Sequence, residues 1–294
     1  MSHLIVLTSA RGVSDAQAEA AARAAGAGAP RRLGRGGVEL DLDGAMTPEA
    51  RAEALARARA ALADAEVDVN AVPREGRRKR VLIADMDSTI IPVECIDEIA
   101  DFAGVKPRVA EITERAMRGE LDFDGALRAR VALLAGLPAA ALDRVLAERI
   151  SLNPGARTLA RTMAAQGAVT ALVSGGFTHF AEPVARMAGF ARHQANRLRI
   201  AEGRLTGEVE EPILGRQAKL EALRALCAEI GASPAEAVAV GDGANDLAMI
   251  EAAGLGVAYR AKPAVAACAD AALRWSDLSA ILHLQGLGED QFEN

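Results

Sequence analysis

At 294 residues the chain is long enough for two domains of roughly 100–200 residues each. Apolar residues make up 51% and charged residues 25%, which excludes a mostly disordered chain. With 34 Lys and Arg against 40 Asp and Glu, the net charge of −6 argues against a nucleic-acid binder held by a general positive field. Aromatics are scarce at 3%, so the core falls to Ala, Val, Leu and Ile. Only four of the 34 cations are lysines (Lys79, Lys106, Lys219 and Lys262), so a lysine in a buried-looking context stands out. Cys95, Cys227 and Cys268 form no Cys-x-x-Cys pair, which fits a reducing cytosol and removes a disulfide framework and a zinc ribbon. The amino-terminal apolar run is too short, and lacks a basic flank, for a signal peptide. No stretch approaches the roughly 18 apolar residues that span a bilayer, so a soluble, cytoplasmic protein is expected.

Residues 3–8 predict a strand, and residues 14–25 an Ala-rich helix capped by Ser14 or Asp15. The Gly-Arg-Gly-Gly turn at 34–37 separates Arg31–Leu33 from the alternating run Val38–Asp43, a hairpin pattern. Thr47 and Pro48 open a helix that extends to about Ala65, and Val67–Val72 closes the unit as a strand. The order is βαββαβ, in which each helix can cover one face of a four-stranded sheet. A basic run from Arg74 to Arg80 follows. It has no interleaved aromatic to stack on a base, so it reads as a solvated linker, with a boundary near residue 76.

From Val81 the pattern changes to continuous apolar runs, as in central parallel strands buried on both faces. These are Val81–Ala84, Ala168–Val173 and Ala237–Val240, with shorter candidates at Leu255–Ala258 and Ala272–Trp275. Helical patterns separate them, which predicts an α/β body built on a doubly wound parallel, Rossmann-like sheet. Residues 94–150 carry the repeat of several small amphipathic helices, too long for one crossover. They predict a helical cap over the sheet's carboxyl edge.

Each main run ends in polar residues: Asp85-Met86-Asp87-Ser88-Thr89, Ser174-Gly175-Gly176, and Gly241-Asp242-Gly243-Ala244-Asn245-Asp246. Carboxyl ends of strands form the ligand crevice of open α/β sheets, so four Asp, an Asn and a Ser should converge there. Such a set of carboxylates repels itself unless a positive charge lies among them. A hard divalent cation, most plausibly Mg²⁺, meets that need, and Lys219 at the start of the helix Lys219–Ile230 supplies a second charge. Taken singly, each feature has an ordinary alternative: a capping turn for Asp85–Thr89, a tight turn or calcium loop for 241–246, an exposed helix charge for Lys219.

In this order and combination, these segments resemble the four motifs of the haloacid dehalogenase superfamily of phosphohydrolases, over about residues 80–276. Val93–Glu98, Arg118–Phe123, Leu127–Val131 and Val173–Phe177 are similar to the branch that acts on phosphoserine, in the last step of serine synthesis. The resemblance implies Asp85 as a nucleophile that forms an aspartyl-phosphate, and Asp87 as general acid and then general base. It implies Mg²⁺ on the Asp85 carboxylate, the Asp87 carbonyl and Asp242, with Asp246 as a nearby support. Ser174, the Gly175 amide and Lys219 would hold the phosphoryl oxygens, with Asn245 near the phosphate. Glu94 and Arg130 would take the substrate's ammonium and carboxylate, with Met117 and Phe123 shaping the inner wall of the cap. An alternative is a phosphotransferase that passes the phosphoryl group to another alcohol such as homoserine. A P-type ATPase is excluded by the missing membrane spans. Residues 1–76 resemble ACT-type regulatory domains, with Ala10–Ser14 at the place of a ligand loop; this implies amino-acid binding or pairing into a homodimer. The remaining 77–294 would be the phosphatase domain.

Overall fold

The computed structural model describes residues 2–293 apart from Asp43, Ala45 and Gly119, and also leaves out the Met117 side chain. The expected end of the Val38–Asp43 strand, the glycine of the Arg118–Phe123 segment and the Met117 wall contact lie outside the described residues.

The amino-terminal order is β1 (His3–Thr8), α1 (Asp15–Ala25), β2 (Arg31–Arg32), β3 (Gly37–Asp41), α2 (Pro48–Ala61) and β4 (Asp68–Pro73). Ser14, not Asp15, caps α1: its hydroxyl accepts from the Gln17 amide while Gln17 bonds back to the Ser14 amide. Thr47 caps α2, which stops at Ala61, earlier than the sequence pattern suggests. The antiparallel sheet runs β2-β3-β1-β4. Both helices lie on one face of the sheet. There Ile5, Leu7, Val38, Leu40 and Val69 pack on Ala18, Ala21, Ala54 and Ala58. Right-handed crossovers place both on the same side. The other face presents Leu4, Val6 and Val72 to the main core.

The body begins with β5 (Val81–Ala84), continues through a helical segment, α3 (Cys95–Phe102), α4 (Lys106–Met117), α5 (Phe123–Ala132) and α6 (Ala140–Arg149), and returns by α7 (Ala156–Ala165). Then come β6 (Val169–Phe177), α8 (Thr178–Ala188), β7 (Arg192–Asn196), β8 (Leu198–Ala201), β9 (Arg204–Val209) and α9 (Arg216–Glu229). The chain closes with β10 (Ala237–Gly241), α10 (Leu247–Ala252), β11 (Leu255–Tyr259), α11 (Pro263–Ala266), β12 (Ala271–Leu273) and α12 (Ala280–Leu284).

Six strands form a parallel sheet in the order β12-β11-β10-β5-β6-β7. Its order reverses beside β5, which puts the ends of β5, β6 and β10 at a topological switch point. Within each apolar run, alternate residues divide between the two faces. Leu82, Ala84, Leu172, Val238 and Val240 join one core with α7 and α8. Val81, Ile83, Ala171, Val173, Ala237 and Ala239 join the other with α9. The continuous runs are thus two interleaved apolar sets.

Two features were not expected from the sequence. The β8–β9 hairpin packs on the helical segment: the Gly136 amide donates to the Leu205 carbonyl (2.8 Å), and Pro138 bridges Arg204. The amino-terminal sheet is docked on the edge strand β12. The Asn70 side-chain amide donates to the Ala272 carbonyl and accepts from the Ala272 amide, both at 3.0 Å, as a neighbouring strand would. Asp68 accepts from the backbone amides of Arg274, Trp275 and Ser276.

Candidate active site

The ends of β5, β6 and β10 and the inner side of α3–α5 enclose a cavity of about 730 Å³. Asp85, Asp87, Glu94, Phe123, Arg130, Ser174, Gly175, Asp242 and Asn245 all line it. Lys219 and Asp246 lie behind this lining, fully buried. The predicted residues are therefore brought to one place, in two layers.

Asp85 leaves β5 with its amide on the Val240 carbonyl (3.0 Å), which ties motif one to β10. Its Oδ1 accepts from the Met86 amide (2.8 Å) and lies 2.6 Å from Lys219 Nζ. The same ammonium donates to Asp246 Oδ1 at 2.6 Å. Asp246 Oδ2 accepts from the Asp242 and Gly243 amides (3.2 and 3.0 Å), so this carboxylate shapes the 241–246 loop as well as holding the lysine. Gly241 is required here: a Cβ would stand 2.4 Å from the Asp246 carboxyl carbon.

Segment 86–90 makes a tight turn, closed by the Ile91 amide on the Met86 carbonyl (3.0 Å), with Ser88 at a left-handed φ of 55°. The turn aims Asp87 Oδ1 at the Cys95 amide (2.8 Å) and Oδ2 at the Ser174 hydroxyl (3.1 Å). The Ser88 hydroxyl donates to Glu94 Oε1 (2.6 Å), and the Thr89 hydroxyl to Asp242 Oδ1 (3.0 Å).

The electrostatics follow from burial. Desolvation, reinforced by Asp246, raises the Asp85 carboxyl well above the ordinary range against the opposing pull of Lys219. Burial raises Asp87 too, although Cys95 and Ser174 hydrogen bonds favour its charged form. Asp242 is pushed up to about 6, by burial first and Asp246 second. Burial works against the Lys219 charge, but Asp85 and Asp246 overcome it and hold the ammonium firmly protonated.

Asp85, Asp242 and Asp246 each offer an oxygen within 4.8 Å of the others. The donors are all hard carboxylate oxygens, and two of the three carry pKa values raised by burial first and by the neighbouring Asp246 charge second. Both observations fit a divalent cation of the Mg²⁺ kind. Because both oxygens of Asp246 are already engaged, Asp85 and Asp242 are the better ligands.

The cavity also includes Asp97, Arg216 and Lys262, none of which the sequence singled out for the site. Lys262 was visible as one of four lysines, but nothing in its local pattern tied it to a cavity. Ser88 and Thr89 lay within the first motif, yet their contacts to Glu94 and Asp242 depend on the turn.

A parallel sheet with this carboxylate cluster at its switch point defines a hydrolase of the haloacid dehalogenase type. Residues 82–251 match the model of the haloacid dehalogenase-like hydrolases, and the chain belongs to that family. Its relatives include a phosphoserine phosphatase of Streptomyces coelicolor, 47% identical over 217 residues, covering 74% of this chain and 53% of the relative. The chain thus spans about half the length of that protein. A phosphoserine phosphatase of Albidiferax ferrireducens is 45% identical over 210 residues, covering 70% of this chain and 89% of the relative. Among solved structures, a probable phosphoserine phosphatase from Vibrio cholerae superposes with a TM-score of 0.80 at 35% identity, covering 97% of this chain and 86% of that one.

Proposed function

We propose that the chain is a Mg²⁺-dependent phosphomonoesterase that hydrolyses L-phosphoserine to L-serine and phosphate through an aspartyl-phosphate. The observation that carries this is the make-up of one cavity. Asp85 and Asp87 line it together with Glu94 and Arg130, a carboxylate and a guanidinium suited to an amino acid's ammonium and carboxylate. The phosphoserine phosphatase names of the relatives support the same substrate and give the transferase alternative no support.

In this reading Asp85 Oδ1 is held by Met86 and Lys219, and Oδ2 attacks phosphorus. The bond from phosphorus to the serine oxygen breaks as Asp87 gives that oxygen a proton; its raised pKa suits a carboxyl that must hold one. A water then attacks the aspartyl-phosphate, Asp87 takes its proton, and phosphate leaves with Asp85 restored. Ser174, Gly175, Asn245 and Lys219 neutralise or orient the phosphoryl oxygens and the nucleophile. Asp85, Asp242 and the Asp87 carbonyl would hold Mg²⁺, which when bound would supply further charge neutralisation at the phosphoryl group.

Residues 1–76 fit an ACT-like regulatory or pairing unit in this reading. Support comes from the βαββαβ order and from a 140 Å³ cavity where Gly12 and Arg35 meet Asp277 and His283.

The substrate assignment is tested by phosphate release from L-phosphoserine and p-nitrophenyl phosphate, with and without Mg²⁺, in wild type and Arg130→Ala. Losing a charge-assisted bond should raise KM for phosphoserine about 10–100-fold and leave the aryl ester nearly unchanged. Equal losses on both substrates would make Arg130 structural and remove the amino-acid end of the site.

A further inference from the structure

Strand β6 and its neighbour β7 fall out of register where β6 reaches the site. Val173 faces Gln194 and Phe177 faces Asn196, so β6 advances four residues while β7 advances two. The surplus forms a bulge at Ser174–Gly176, and bulges re-aim side chains beside active sites. A bulge also takes backbone groups away from the ladder. The carbonyl of Gly175 is one of these, and the Asn196 side chain supplies its donor: Nδ2 lies 2.8 Å from Gly175 O. Asn196 is buried, and the rest of its amide grips the segment ahead of α9. It donates to the Leu214 carbonyl (3.3 Å) and accepts from the Leu214 amide (2.7 Å).

The Gly175 carbonyl and the Gly176 amide N–H belong to one peptide plane. Asn196 holds its oxygen, and its N–H donates to Ser174 Oγ at 2.8 Å. With that lone pair occupied, the Ser174 hydroxyl turns its proton to Asp87 Oδ2. Gly176 fits this arrangement because it has no Cβ; one would stand 2.5 Å from Asp87 Oδ2. A continuous relay of hydrogen bonds thus runs from Asn196 through one peptide and one hydroxyl to Asp87.

We infer that Asn196 is a positioning residue for the acid–base carboxyl. It fixes the Gly175–Gly176 peptide so that Ser174 presents Asp87 to the leaving oxygen. This rests on the phosphatase reading above. It sets a specific expectation, because protonation by Asp87 matters for a serine alkoxide and hardly at all for p-nitrophenolate, a good leaving group.

The test compares wild type with Asn196→Asp and Asn196→Ala on L-phosphoserine and p-nitrophenyl phosphate, with melting temperature and inhibition by L-serine as controls. Asn196→Asp keeps the acceptor for the Leu214 amide and loses both donations, the short one to the Gly175 carbonyl and the longer one to the Leu214 carbonyl, so it frees the Gly175–Gly176 peptide while one tie to the segment ahead of α9 remains. The expected result is a loss in kcat/KM of about 10–100-fold with phosphoserine and less than about threefold with the aryl ester. Inhibition by L-serine should stay within about twofold, since its partners at Glu94 and Arg130 are untouched. Equal losses on both substrates, or a folded Asn196→Asp enzyme with unchanged kcat/KM, would overturn the inference. A wild-type enzyme that turns over the aryl ester and not phosphoserine would instead sink the parent reading, and the inference with it.

Discussion

Glu94 stands six residues after Ser88, takes a hydrogen bond from its hydroxyl, and shares a cavity with Asp87 and Asp97. Burial, and then the Asp87 charge, raise its pKa from 4.5 to about 7. Between those two values the unfolded chain has released a proton that the folded chain keeps, so stability falls as pH rises. The penalty is absent below about 4.5 and complete above about 7. In metal-free protein, Glu94→Gln should therefore match wild type near pH 4.5 and melt higher at pH 8, by roughly 2 °C or more. A wild-type melting temperature at or above that of Glu94→Gln at pH 8 would contradict this account. The same residue shows how far sequence reaches. Glu94 was legible as a carboxylate just after the first motif, whereas its partner Ser88 was not, because the contact needs a turn with a left-handed φ. Lys219 was visible through the rarity of lysine. Its enclosure between Asp85 and Asp246 needed two loops from distant positions.

At the scale of elements, the parallel strands were the most readable part, since burial on both faces demands unbroken apolar runs. The β8–β9 hairpin was not readable: most of its residues are exposed, and only Leu205 and Val209 enter the core. The β6 bulge also escaped the pattern, because Ala168–Val173 reads as an ordinary strand and the register depends on where β7 ends. Its chemistry nevertheless makes a sharp demand on Gly176. Adding one methyl there meets Asp87 Oδ2 at 2.5 Å and Ser174 Oγ at 3.1 Å. Gly176→Ala should lower kcat at least about 100-fold, the share that a displaced acid–base group contributes, while far-UV circular dichroism stays native. Native turnover in Gly176→Ala would show that the loop gives way at no cost to Asp87.

Across the whole molecule, the amino-terminal sheet and the parallel sheet form one packed body. Leu4, Val6 and Val72 enter the main core, and Asn70 and Asp68 bond the 272–276 backbone. Chain length pointed to more than one domain. The mode of docking lay hidden, because it depends on two polar side chains acting as a strand's edge. The net charge of −6 carries little of the function, since a dianionic phosphoester would meet one buried ammonium, a metal and a few amides. Among the described residues no helix is long and apolar enough to cross a membrane. The central claim is that Asp85 takes the phosphoryl group from phosphoserine. Its most direct test is an acid quench of enzyme mixed with phosphoserine carrying a radiolabelled phosphoryl group, followed by peptide mapping and phosphate assay. The account predicts label on the Asp85 peptide and phosphate release in wild type, and neither in a folded Asp85→Asn. Near-native phosphate release by Asp85→Asn, or label on another residue, would contradict it.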